Sequence, residues 1–94
     1  MPTHRDKTIF RAEYASILEL LHQVRKREGV SQVELARRLN RTQAWVSKSE
    51  LGERRLDLLE VRDISLALGL PFVDFVAELE EALEHARRLQ DEER

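Results

Sequence analysis

Residues 31–55 read SQVELARRLNRTQAWVSKSELGERR, and the fold depends on how this stretch is divided. Ser31 with Glu34 three residues on is a capping box, which opens a helix by giving acceptors to its orphan backbone N–H groups. Val30 and Leu35 take the apolar positions that flank such a box. Leu35, Ala36 and Leu39 then share one face, and Arg37 and Arg38 point away from it. Asn40 stops this helix, because Asn tolerates the left-handed backbone that a tight turn needs. Thr42 is the next N-cap, so the link between the two helices is only about three residues long. So short a link makes them cross steeply, as a helix-turn-helix.

The second helix of the pair runs from Gln43 to about Leu51, with Val46 and Glu50 facing inward and Gly52 at its end. Gln43, Ala44, Ser47 and Lys48 are left on the outer surface near its N-terminal end. Those residue types suit a DNA groove. Gln makes a bidentate contact to adenine, Lys reaches guanine acceptors, and Ala touches a thymine methyl. Ser and Lys serve phosphates equally well.

Upstream, Phe10, Tyr14, Ile17, Leu18, Leu21 and Val24 recur at spacings of three and four, which predicts an amphipathic helix from Thr8 to about Glu28. Gly29 provides a left-handed cap. Arg25, Lys26 and Arg27 suit the C-terminal dipole and read as a solvated helix end. Residues 1–7 (MPTHRDK) read as a loose, flexible arm, with a DNA contact from its basic residues as the lesser reading.

Downstream, Glu53-Arg54-Arg55 forms a loop. Asp57 with Glu60 is a second capping box, and Leu56 with Val61 a second staple. A fourth helix, Leu58 to Leu68, buries Val61, Ile64 and Leu68 and ends at Gly69. Pro71 suits the first turn of a fifth helix. There Phe72, Phe75, Val76, Leu79, Ala82, Leu83, Ala86 and Leu89 form a stripe opposite Glu80, Glu81, Glu84, Arg87 and Arg88. That stripe outruns a small domain, so the helix either folds back along the domain or pairs with a partner helix. Pairing is the favoured reading, and the last residues, Asp91 to Arg94, are expected to fray.

Composition bounds the function. Ninety-four residues make one domain at most. Without cysteine there is neither a disulfide framework nor a thiolate metal site. No apolar run approaches the roughly 20 residues of a membrane span and no signal-peptide pattern opens the chain, so a soluble, cytoplasmic protein is the default expectation. The net charge of −2 conceals an asymmetry: residues 1–73 carry 13 basic and 10 acidic residues, a net of +3, and residues 74–94 carry 3 and 8, a net of −5. A local basic face, not the whole-chain balance, is what meets phosphate. Catalysis is poorly served. His4, His22 and His85 have no metal-ligand spacing, and there is no Gly-rich phosphate loop and no Ser in a strained turn. No metal or cofactor is expected.

Ser31-Gln32, Leu35-Ala36, the turn at Asn40, Thr42-Gln43, Val46-Ser47, Glu50-x-Gly52 and Arg54-Arg55, followed by LEVRDISLALGLPF, together resemble the Cro/repressor-type (XRE) helix-turn-helix family over roughly residues 14–76. The resemblance implies an all-α, five-helix lambda-repressor-like domain that binds double-stranded DNA, usually as a homodimer on a near-palindromic site. Position by position, it implies base contacts from Gln43, Ala44, Ser47 and Lys48. It implies phosphate or backbone contacts from Gln32, Thr42, Arg54 and Arg55, to which charge adds Arg41, Lys48, Arg37 and Arg38. Asn40 stands where the family usually has Gly, and keeps the left-handed turn accessible. Trp45 is a further departure, with two open readings: packing on sugar-phosphate, or covering the helix-turn-helix junction. Leu51 and Leu66 occupy commonly polar positions and are expected to be exposed.

The resulting expectation is an arm (1–7), a DNA-binding domain (8–76) and a C-terminal extension (77–94) that dimerises through Phe72, Phe75, Val76, Leu79, Leu83, Ala86 and Leu89. It acts as a sequence-specific transcriptional regulator, a repressor type associated with the nucleoid, with the third helix in the major groove. The alternative is an antitoxin or interaction adaptor on the same fold, whose C-terminal helix binds a protein partner.

Overall fold

The computed structural model describes the backbone of residues 3–92 and the side chains of residues 12–92. Five helices follow one another: α1 (Thr3–Arg27), α2 (Gln32–Leu39), α3 (Gln43–Glu50), α4 (Leu58–Ala67) and α5 (Phe72–Glu92). No strand occurs among the described residues, as the aliphatic, helix-forming composition implies. α1 begins at Thr3 and not at Thr8, so residues 3–7 continue helical backbone where an arm was expected. No Gly or Pro lies between Thr3 and Thr8 to stop it. The side chains of that segment, and with them any reach toward DNA, lie outside the described residues.

The first four helices close alike at their C-termini. The N–H groups of Val30, Arg41, Glu53 and Leu70 each donate to the carbonyl five residues back, at 2.9–3.1 Å. This six-to-one bond needs a left-handed residue just before it. Asn40 takes that role at φ 56°, ψ 45°, the one non-Gly residue with positive φ among those described.

The two capping boxes differ. At α4 both halves form: Asp57 Oδ1 accepts from the Glu60 N–H at 2.8 Å, and Glu60 Oε1 accepts from the Asp57 N–H at 2.9 Å. At α2 only Ser31 caps, accepting from the Glu34 N–H at 3.0 Å. The Glu34 carboxylate turns instead to Arg37 (2.9 and 2.6 Å) and Arg38 (2.9 Å). Those two guanidiniums, Arg37 first, draw the Glu34 carboxyl down to about 2.

The core is a cluster of Leu20, Leu21 and Val24 of α1 with Val30, Leu35, Ala36, Val46, Leu56, Val61, Ile64, Leu68 and Phe75. Tyr14 seals its edge, its hydroxyl accepting from the Leu56 N–H at 2.7 Å. Arg25 departs from the expected solvated helix end. It is buried, because it lies one turn beyond Leu21 on the apolar stripe, while Lys26 and Arg27 are exposed.

α5 folds back antiparallel along α1. Arg27 makes a two-pronged bond to Glu78 (3.1 and 3.2 Å), Leu20 borders the same cleft as Ala82, and Ala12 the same cleft as Gln90. The stripe assigned to a partner therefore divides. Phe75 is 1% exposed and belongs to the monomer's own core, with Phe72 stacked on it at 6.3 Å and Leu79 packed against the cluster. Phe75 cannot be an interface residue. Leu83 is half-buried, and Val76, Ala86 and Leu89 are exposed.

Candidate nucleic-acid interface

The residues expected to read bases lie at the start of α3. Gln43, Ala44 and Lys48 are exposed and Ser47 is partly so. Thr42 caps the helix, its Oγ1 accepting from the Trp45 N–H at 3.0 Å, and its own O–H is left to donate. Val46 and Ser49 face inward, and Ser49 Oγ donates to the Trp45 carbonyl at 2.7 Å.

A hydrogen-bond relay sets the direction of Gln43. Arg25 grips Glu50 through Nε (2.5 Å) and Nη2 (3.1 Å) and donates Nη1 to the Val30 carbonyl (2.8 Å). Burial pushes the Glu50 carboxyl up, but the bonds from Arg25 and Gln32 outweigh it and hold the group below its ordinary value. An ionised carboxylate only accepts, so Gln32 must turn its amide nitrogen toward Glu50, at 2.8 Å. Gln32 then presents its oxygen outward, where it accepts from Gln43 Nε2 at 2.9 Å. Gln43 keeps one N–H and its oxygen, the donor and acceptor that match N7 and N6 of adenine. Gln32, expected as a phosphate contact, stands between Glu50 and Gln43 in this relay and keeps a second amide N–H.

The basic residues divide into groups. Arg41 and Arg54 both stack on Trp45, each guanidinium carbon 4.8 Å from the ring centroid. Glu60 takes two bonds from Arg54 (3.3 and 3.0 Å) and lies 3.9 Å from Arg41. The Asp57 N–H and then Arg54 hold the Glu60 carboxyl below its usual range. Arg55 goes elsewhere, 4.4 Å over the Tyr14 ring. Arg37 and Arg38 are bound to Glu34, and Arg38 also donates to the Ala67 carbonyl at 2.9 Å. Trp45 covers the junction: it packs against the core, with Nε1 buried, and its ring carries two arginines. The Glu60 role escaped the sequence reading, although its signal was present: an acidic residue one helical turn into α4, close to the Arg54-Arg55 pair.

Among the described residues no His, Cys, Asp or Glu group is arranged to hold a metal, and no helix is long and apolar enough to cross a membrane. A short turn, a polar outward row on α3 and arginines at both of its ends define a helix-turn-helix protein. A helix-turn-helix domain family model matches residues 17–82. The solved structure of an XRE-family like protein from Pseudomonas syringae pv. tomato str. DC3000 superposes with a TM-score of 0.77. It is 42% identical, over 82% of this chain and 94% of its own. No curated protein matches the chain. The chain belongs to the XRE-type helix-turn-helix family and has the fold of its DNA-binding regulators.

Proposed function

We propose that the protein is a sequence-specific, duplex-DNA-binding transcriptional regulator of the cytoplasm, associated with the nucleoid and acting as a homodimer, with α3 in the major groove. The observation that carries this is the relay from Arg25 through Glu50 and Gln32, which leaves Gln43 with one oriented donor and one oriented acceptor on an exposed helix face. Ala44, Ser47 and Lys48 complete the reading row. Arg41, Arg54, Arg55 and the Thr42 hydroxyl provide sequence-blind affinity through phosphates. No catalytic step is assigned to it.

Dimerisation is supported by the apolar surface along α4 and α5. Leu58 is 70% exposed, Leu59 68%, Val73 77% and Val76 44%. Leu58 and Val76 border one groove with Tyr14, Ile17, Leu79 and Leu83. A second copy is the proposed occupant; a heterologous protein, as in an antitoxin or adaptor, is the alternative. Selection of bound sequences from a random duplex pool, with the mass in solution recorded, tests both parts. An enriched inverted repeat with a dimeric mass supports the regulator. A folded monomer that enriches nothing favours the adaptor.

A further inference from the structure

We propose that Glu60 is a positioning residue for DNA binding, an acid whose carboxylate holds Arg41 and Arg54 on the indole of Trp45 so that both meet the phosphate backbone pre-arranged. The proposal rests on the DNA-binding reading above. An acidic group beside a phosphate-binding face ordinarily weakens binding by repulsion. Glu60 is placed differently: only 15% of its side chain is exposed, against 47% for Arg41 and 36% for Arg54, the two cations it meets.

The geometry of Arg54 explains how one guanidinium serves two anions. Glu60 takes its Nη1 and Nη2, and Nη1 also donates to the Arg55 carbonyl at 3.0 Å. The Nε–H and the second Nη2–H, which lie along the adjacent edge, have no partner among the described residues. That edge fits two oxygens of a phosphate. Glu60 therefore occupies the edge that DNA does not need. An arginine freed of Glu60 regains wide rotamer freedom, which binding must then remove. Trp45 supplies the floor, since a cation over an indole face is attracted by the ring quadrupole. Arg41 precedes α3 and Arg54 follows it, so Trp45 and Glu60 join cations that flank the reading helix at both ends.

Glu60→Gln separates positioning from folding. Gln retains the oxygen that accepts from the Asp57 N–H, so the α4 capping box survives, while the charge and the acceptor oxygen that faces Arg54 Nη2 and Arg41 are lost to an amide N–H group. Removing a negative charge from a DNA-binding face should tighten binding; positioning makes the opposite prediction. In the full chain, with a duplex recovered by selection, Glu60→Gln weakens binding about tenfold, the equivalent of one charge-assisted hydrogen bond. In an Arg41→Ala, Arg54→Ala background the same change alters binding less than about twofold, as a cycle through the shared partners requires. Trp45 is the only tryptophan, and its emission in free Glu60→Gln protein moves to longer wavelength as the arginine cover loosens. Tighter or unchanged binding, an equal loss in the arginine-free background, or unmoved emission overturns the proposal. Wild-type protein that binds no duplex removes the DNA-binding reading itself, and this proposal with it.

Discussion

Glu50 orients its neighbours because an ionised carboxylate accepts hydrogen bonds and never donates them. Its contacts with Arg25 and Gln32 fix the amide of Gln43 two bonds away, so the side chain proposed to read a base is directed from the core. Gln43→Ala removes that pair of groups and should cost roughly 1–3 kcal/mol on the preferred duplex while relaxing base preference at one position. Binding to a panel of single-substitution duplexes reads both effects. The same residue shapes the pH response. A carboxyl held below its unfolded value contributes stability that is complete above the unfolded pKa, here 4.5, and is lost as pH falls through the folded value. Melting of the wild type should therefore shift to lower temperature as pH falls below about 5, and Glu50→Gln should flatten that dependence. The slope that persists comes from Glu34 and Glu60, both also held low. The outward placement of Gln43, Ala44, Ser47 and Lys48 was legible at this scale because α3 is short and its inward residues, Val46 and Glu50, fix the rest by elimination. The Arg25–Glu50 pair spans 25 residues and has no local signature. Its one clue is a charge four residues after Leu21 on an apolar stripe, a placement that demands a partner.

The helices were readable from their ends more than from their interiors. Caps at Ser31, Thr42 and Asp57 and left-handed stops at Gly29, Asn40, Gly52 and Gly69 all lie where residue type alone puts them. Where a cap has a rival, the pattern misleads. Glu34 has the spacing of a capping box, but arginines three and four residues on outbid the lone Ser31 N–H for its carboxylate. The α1 boundary was misplaced for a related reason: lack of apolar periodicity in residues 3–7 says nothing against helix once propensity permits it. Asn40 is the element on which the α2–α3 geometry hinges, since its φ of 56° brings the Arg41 N–H to the Ala36 carbonyl at 2.9 Å. Asn40→Ala should cost about 1 kcal/mol, the left-handed penalty of a residue with a Cβ and no local hydrogen-bonding side chain. Asn40→Gly should be neutral or slightly stabilising. Urea unfolding of the three proteins gives the order; an alanine variant as stable as wild type would mean that the turn adopts another backbone.

The whole molecule separates its charges by where α5 packs. α3 packs on α1 and α2, and α5 on α1 and α4, so the acidic C-terminal helix shares only α1 with the helix that carries the polar outward row. A net charge of −2 is thus compatible with a basic DNA-binding face. The same packing divides the α5 stripe, which periodicity could not do: all its apolar residues look alike in sequence, and only the antiparallel path along α1 shows which ones the monomer covers itself. Phe75 and Val76 are neighbours with opposite fates, one 1% and the other 44% exposed. Phe75→Ala should empty a core site and lower stability by about 3–5 kcal/mol, lost as cooperative unfolding at lower denaturant. Val76→Glu changes a residue that the folded monomer leaves in water, so its melting as a monomer should be little altered. If the groove beside Leu58 seats a second copy, that carboxylate is placed in a mainly apolar interface whose lining already sets two acids, Glu13 and Asp57, against one cation, Arg55. The variant should then show a monomeric mass at concentrations where wild type is dimeric. It should bind a two-half-site duplex no more tightly than a single half-site, because avidity requires both domains on one dimer. A Val76→Glu protein that remains dimeric would place the contact elsewhere, with the exposed end of the stripe at Ala86 and Leu89 the next surface to test.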